Sequence, residues 1–123
     1  MTNSNIADIL DRAIYFHAQW KIRLKSMISQ QQNSISVHTI KDNHVCDFGQ
    51  WLDSQNSKTL PNYDEICDKH KIFHEQAAEV ARLVKLVDIT AAEEKMRFGG
   101  EFSQASADLV NLLSACKDEL TYI

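Results

Sequence analysis

Two stretches of this chain repeat apolar residues at intervals that only a long helix can gather on one face. Ile6, Leu10, Ala13, His17, Trp20, Leu24 and Met27 follow one another at alternating steps of four and three. Ile66, His70, Phe73, Ala77, Val80, Val84 and Val87 do the same. At 3.6 residues per turn, such a series lines one side of an α-helix. Only one proline and three glycines occur in 123 residues, so little interrupts the pattern. Each stripe also carries a histidine, and packing the stripes together brings His17 and His70 into one core. Burying imidazoles without partners is costly. A shared cation removes that cost, because each neutral ring then uses one nitrogen as a ligand.

The first stripe predicts a helix from about Asn5 to about Gln31, ended by the polar run from Gln30 to Ser34. A loop follows to about His44. A short helix over Val45 to Asp53 holds Cys46, Phe48 and Trp51. The polar stretch from Ser54 to Leu60 reads as a connection. Pro61-Asn62 opens the third helix, where a proline is tolerated, and a break falls near Asp88. Thr90 with Glu93 fits a capping box, so a fourth helix begins there and runs to about Leu120. Phe102, Leu109, Leu113, Cys116 and Leu120 mark its buried side, and Gly99-Gly100 is the point at which it can break. The expected fold is all-α: an antiparallel four-helix bundle with one short helix carrying a cysteine, in a single domain over residues 1–123.

The formal net charge is −4 and no basic patch stands out, which leaves nucleic acid without an electrostatic footprint. No apolar run reaches membrane-spanning length. The N-terminal Met1-Thr2-Asn3-Ser4-Asn5 lacks the charged and apolar regions of a signal peptide, so a cytoplasmic location is expected. Three cysteines are too few and too odd in number for a disulfide framework. In a reducing compartment each is a ligand, a reactive thiol or a small core residue.

His70 and His74 lie four residues apart, about one helical turn, on one face, where both can grip one ion. Spacing alone leaves two candidates for a thiol ligand. Cys67 stands three residues before His70 on nearly the same helix face, and competes with Cys46. His38 and His44 fall in the polar loop and are expected to be solvated. Cys116 fits the buried stripe of the fourth helix. Two motifs are decoys. Gly99-Gly100-Glu101-Phe102 has the letters of the diguanylate cyclase signature, but that loop turns a β-hairpin in a larger α/β domain, and here the pattern is helical. His74-Glu75 lacks the second histidine of a metalloprotease helix, because position 78 is Ala78.

Three fragments occur in order: His17-Ala-Gln-Trp20, Cys46-Asp-Phe-Gly-Gln-Trp51 and His70-Lys-Ile-Phe-His74. Together they resemble the bacterial chemoreceptor zinc-binding domain family, over nearly the whole chain. The resemblance implies a Zn2+ site made by His17, Cys46, His70 and His74. It also implies that Phe48 and Trp51 anchor the short helix and that Gly49 permits close packing, while Trp20, three residues after His17, reads as a core residue that would also shield the metal from water. A shell closed by four protein ligands suits structural or sensory zinc rather than catalysis, so an enzyme is not expected. The family regulates chemoreceptors and diguanylate cyclases. It responds to zinc, and in some members to oxidants such as hypochlorous acid acting at the zinc-bound cysteine. A homodimer is implied, with a chemoreceptor signalling domain or a diguanylate cyclase domain as the output partner. The rival from another class is a zinc hydrolase with a three-histidine site, which needs Cys46 away from the metal and a base such as Glu75. A di-iron carrier bundle needs bridging carboxylates that the buried stripes lack.

Overall fold

The computed structural model describes residues 2–30, 36–44, 46–54, 57–58 and 60–121. Helices α1 (Thr2–Gln30), α2 (Val37–Lys41), α3 (Asp47–Leu52), α4 (Tyr63–Lys85), α5 (Ile89–Met96) and α6 (Glu101–Thr121) follow in chain order. No strand forms among the described residues. The first stripe is buried from Leu10 to Met27, with Ile6 half-buried at its start. The second is buried from Ile66 to Val84. Phe102, Leu109, Leu113 and Cys116 close the core from α6.

The three long helices share this core, with α6 packed along both α1 and α4. Lys117, near the end of α6, pairs with Asp11, near the start of α1, at 2.7 Å. Cys116 Sγ lies 3.8 Å from the carbonyl of Pro61, just before α4. Thus α6 runs antiparallel to both α1 and α4, and those two helices point the same way. The connection between them must therefore travel back along the molecule. It does so through α2, which packs on α4, and α3.

Several boundaries depart from the sequence expectations. The polar loop after α1 contains the short α2, started by Ser36, whose side chain accepts from the Thr39 N–H. Val45 and Gln31 lie outside the described residues. Pro61 stands in the turn before α4, not within its first turn. Asn62 precedes the helix in the left-handed region at φ 59°, a conformation that asparagine tolerates. Asp88, not Thr90, caps α5. Its carboxylate accepts from the Ala91 N–H at 3.3 Å, and Thr90 is already helical. A cap must stand outside helical geometry, which Asp88 does directly after the turn that ends α4. Val87, the last member of the second stripe, is exposed, because α4 ends at Lys85 and Val87 turns the chain away.

The expected fourth helix is two helices. At Gly100, a Cβ would meet the carbonyl oxygens of Glu94 and Lys95, so the chain makes its tight exit from α5 with a residue that lacks one. The Gly99-Gly100-Glu101-Phe102 letters therefore mark a helix–helix turn. Phe102 is buried, with its ring 5.4 Å from that of Phe73.

Candidate metal centre

His17, His70 and His74 are almost fully buried, at 0, 1 and 3 % exposure. The stripe positions of His17 and His70 on two helices that run the same way, with His74 one turn beyond His70, carry the rings into one space. His70 Nε2 is at the centre of the group. It lies 3.1 Å from His17 Nε2, 3.1 Å from His74 Nε2 and 3.2 Å from Cys46 Sγ. The four donor atoms all fall within 4.8 Å of one another. Donors around a tetrahedral zinc stand about 3.3–3.6 Å apart, given the usual Zn–N and Zn–S lengths. The group has the spacing and the donor chemistry of such a site.

Two backbone carbonyls decide how the rings face inward. His17 Nδ1 lies 2.7 Å from Ala13 O, and His74 Nδ1 lies 2.8 Å from Ile40 O. A carbonyl only accepts, so each Nδ1 carries the proton and each Nε2 presents a lone pair to the centre. His70 Nε2 then faces two imidazole lone pairs and a sulfur. A single N–H there cannot serve all three, whereas a central cation can.

Burial disfavours charge on these rings. It pushes His17 down to about 4 and His70 down to about 2, with neighbouring histidines adding to the shift of His70. His74 is also lowered by burial, against the opposing pull of the Ile40 carbonyl. Three neutral imidazoles are the form that a metal requires.

Cys46 occupies a different environment. It is half-buried and stands at the N-cap of α3, with its sulfur accepting from the Gly49 N–H at 3.3 Å. Burial raises its pKa most, and Asp47 adds to that, while bonds from the Gly49 and Phe48 N–H groups pull it down. Gly49 is required by its neighbour: a Cβ there would overlap the Asn43 carbonyl. The loop before α3 can therefore close directly over the helix.

Aromatic rings wall the cluster. Phe48 packs in a T-shaped arrangement against His70 and His17, with centroids 5.2 and 5.9 Å away. Phe73 approaches His17 and His74 at 5.0 and 5.6 Å. Trp51 stacks on Phe48 at 5.9 Å. Trp20 is buried one turn beyond His17, with the Arg23 guanidinium over its ring at 4.2 Å.

The structure brings together the four residues that the family resemblance singled out. The competing Cys67 is not in the cluster; it interacts with the Tyr63 hydroxyl, one turn back on α4. His38 and His44 are exposed, and Cys116 is buried against Pro61. Sequence reasoning passed over the two supporting carbonyls and the walling role of Phe73. Ala13 stands four residues before His17, the spacing at which a helical side chain can reach back to a carbonyl. Ile40 is a lone apolar residue in a polar segment, which is a sign of local burial.

A helical domain with a closed cluster of three imidazoles and one thiol belongs to a narrow class. The chemoreceptor zinc-binding domain matches this chain over residues 17–81, just over half its length, and the chain belongs to that family. The family is regulatory and sensory, binds zinc, and acts in chemoreceptors or diguanylate cyclases. No curated protein and no solved structure matches the chain. No helix among the described residues is long and apolar enough to cross a membrane.

Proposed function

We propose that this protein is a zinc-responsive regulatory domain in which His17, Cys46, His70 and His74 hold one Zn2+. The observation that carries the reading is the unsatisfied centre. His17 and His74 are locked with their Nε2 lone pairs turned inward, toward a third nitrogen and a sulfur. Zinc supplies there a positive charge that accepts all four donors and keeps the sulfur as a thiolate. The buried rings hold orientation, and Phe48 and Phe73 keep water from them. Cys46 joins α3 to the pair of long helices, so the docking of α3 reports whether the site is filled. The whole chain, residues 1–123, is read as one all-helical domain.

Elemental analysis of protein purified without added metal tests this directly. One zinc per chain is expected. Zinc absent from the wild type, or retained at full stoichiometry after His70→Ala, overturns the reading.

The finer functional reading places the domain in the cytoplasm as a homodimer that controls a chemoreceptor signalling domain or a diguanylate cyclase domain. Tyr15, Phe16 and Ile22 leave an apolar strip exposed on α1, which supports pairing there and along α6. A strict monomer in concentrated sedimentation runs counts against the pairing. Oxidant response follows from Cys46, the one cluster donor that is not fully buried. Its thiolate attacks the oxygen of hypochlorous acid, giving a sulfenic acid and chloride, and the soft ligand is lost. Zinc release that tracks oxidation of Cys46, ahead of Cys67 and Cys116, is the expected result in peptide mass spectrometry.

A further inference from the structure

No basic run marks the sequence, yet the fold assembles a cationic surface from two separate elements. An open groove of about 610 Å3 lies between the second half of α1 and α5. Its floor is apolar: Ile28 and Met96 are buried and Ile89 is half-buried. Its rim carries Lys21 and Lys25, one turn apart on α1, and Arg97 at the end of α5. All three are exposed, and none has an ion-pair partner among the described residues. Among the described residues, Glu93 is the one carboxylate in the lining. The sequence of α1 adds none nearby: from Arg12 to Lys41 the chain has no aspartate or glutamate, although its net charge is −4. Phe98, next to Arg97, also lines the groove and is fully exposed.

We propose that this groove docks an acidic amphipathic helix of a protein partner. Two packed helices leave between them a channel into which a third can lay an apolar stripe. The eight residues of α5 give that stripe just over two turns of floor. Charge selects the occupant. Lys21 and Lys25 repel each other across one helical turn, and carboxylates flanking the incoming stripe relieve that repulsion and pair with Arg97 as well. Phe98 supplies an aromatic anchor at one end, where its ring leaves water on binding. An anionic membrane is the poorer fit, because Ile28 and Met96 lie at the bottom of a groove that a bilayer surface does not enter. None of these residues is a cluster donor, so the groove is independent of the zinc reading.

The probe is a fluorescent synthetic peptide of about 18 residues, long enough to form a helix, with leucines at helical spacing on one face and glutamates beside them. Two controls share its length: one with lysine for every glutamate, and one with the same composition scrambled so that no stripe remains. Anisotropy titration with the full chain should show saturable binding of the acidic helix alone, weakening as salt rises. Phe98→Ser and Arg97→Glu should each weaken it about tenfold, the scale of a lost anchor or a reversed rim charge. Both side chains are exposed and unpaired, so the circular dichroism and thermal midpoint of the variants should match the wild type. Lys25→Glu gives an independent reading if either change at the α5–α6 turn disturbs the fold. Absence of saturable binding, equal binding of either control, or full affinity in all three variants overturns the proposal. So does sedimentation of the wild type with equimolar phosphatidylcholine–phosphatidylserine vesicles that the peptide does not reverse, which assigns the surface to lipid. Self-association that Arg97→Glu abolishes overturns it too, because a second copy then fills the groove.

Discussion

The two halves of the candidate metal centre are built to different standards of rigidity. The imidazole half stands on α1 and α4, helices of 29 and 23 residues whose apolar faces are buried for most of their length. Two of its rings are tied to carbonyls, so their positions are set before any metal arrives. The thiol half stands on α3, a helix of six residues with Cys46 at its very start. What holds it is Phe48 and Leu52 in the core, the Gly49 contact with Asn43 and the exposed His44–Asp53 bond. Such short, surface-tethered segments open locally at much lower free energy than core helices. In the proposed zinc reading, the centre is thus a rigid receptor paired with a clasp that opens more easily.

Ligand replacement gives the largest expected effect and the sharpest test of that division. His70→Ala removes the atom from which the other three donors stand 3.1–3.2 Å away, so stoichiometric zinc should be lost. Cys46→Ser leaves three preorganised imidazoles. Zinc should still bind, weakened by at least the roughly 10–100-fold that loss of a mere supporting partner costs. Competition titration with a chelator measures both. Equal loss in the two variants would mean that the imidazole half is not preorganised, and the comparison would fail.

Acid should act on the imidazole half of the metal-free protein. His17 and His70 stay neutral in the fold down to about 4 and about 2, whereas their unfolded pKa is near 6.5. Below pH 6.5 the unfolded chain therefore binds protons that the folded chain refuses, and stability falls as pH falls. Each such ring contributes a slope of about 1.4 kcal/mol per pH unit. The contribution of His17 is fully present above pH 6.5 and has been lost by about pH 4. Urea titrations of chelator-treated protein between pH 7 and pH 4.5 should show the slope, and His17→Asn should make it shallower. A flat profile would place these rings in contact with water.

The clasp depends on Gly49. Gly49→Ala drives a methyl into the Asn43 carbonyl, and overpacking of this kind costs about 2 kcal/mol. Part of that cost should be met by local opening. Hydrogen exchange should quicken over Asp47–Leu52 and not in α1 or α4, and zinc should dissociate faster. Uniform quickening across all helices would show that α3 is integral to the core rather than a separate clasp.

The same asymmetry explains what could be read from the sequence. The rigid half was legible because a long stripe is periodic, and a histidine inside it inherits its burial and direction. His17 and His70 stand in the two stripes, and His74 follows from its place one turn beyond His70 on the same face. The clasp was legible only through the family fragments. No period runs through six residues, and spacing alone could not choose Cys46 over Cys67. Short helices such as α2 escape pattern reading for the same reason, since their existence depends on tertiary contacts such as the Ile40 carbonyl on His74. The split between α5 and α6 was visible only as a glycine pair, and the cap of α5 fell to Asp88 because the end of α4 could not be fixed to the residue.

The smallest expected effect lies away from the cluster, where α4 ends. Val87 has φ 59°, in the left-handed region, and is 68 % exposed. Around it, the Asp88 N–H bonds Leu83 O at 2.9 Å and the Val87 N–H bonds Val84 O at 3.0 Å. These are the paired bonds of a helix terminus that usually places glycine at this position. A β-branched side chain there meets its own backbone, at a cost of about 1–2 kcal/mol, while glycine loses about 0.5–1 kcal/mol more chain entropy on folding. Val87→Gly should therefore stabilise the protein by about 1 kcal/mol or somewhat less, seen as a small rise in thermal midpoint. Because α4 is already rigid below this point, zinc affinity and the exchange of α3 should stay unchanged. A shift in either would mean that the end of α4 and the clasp communicate, and that the movable part of the molecule extends beyond α3.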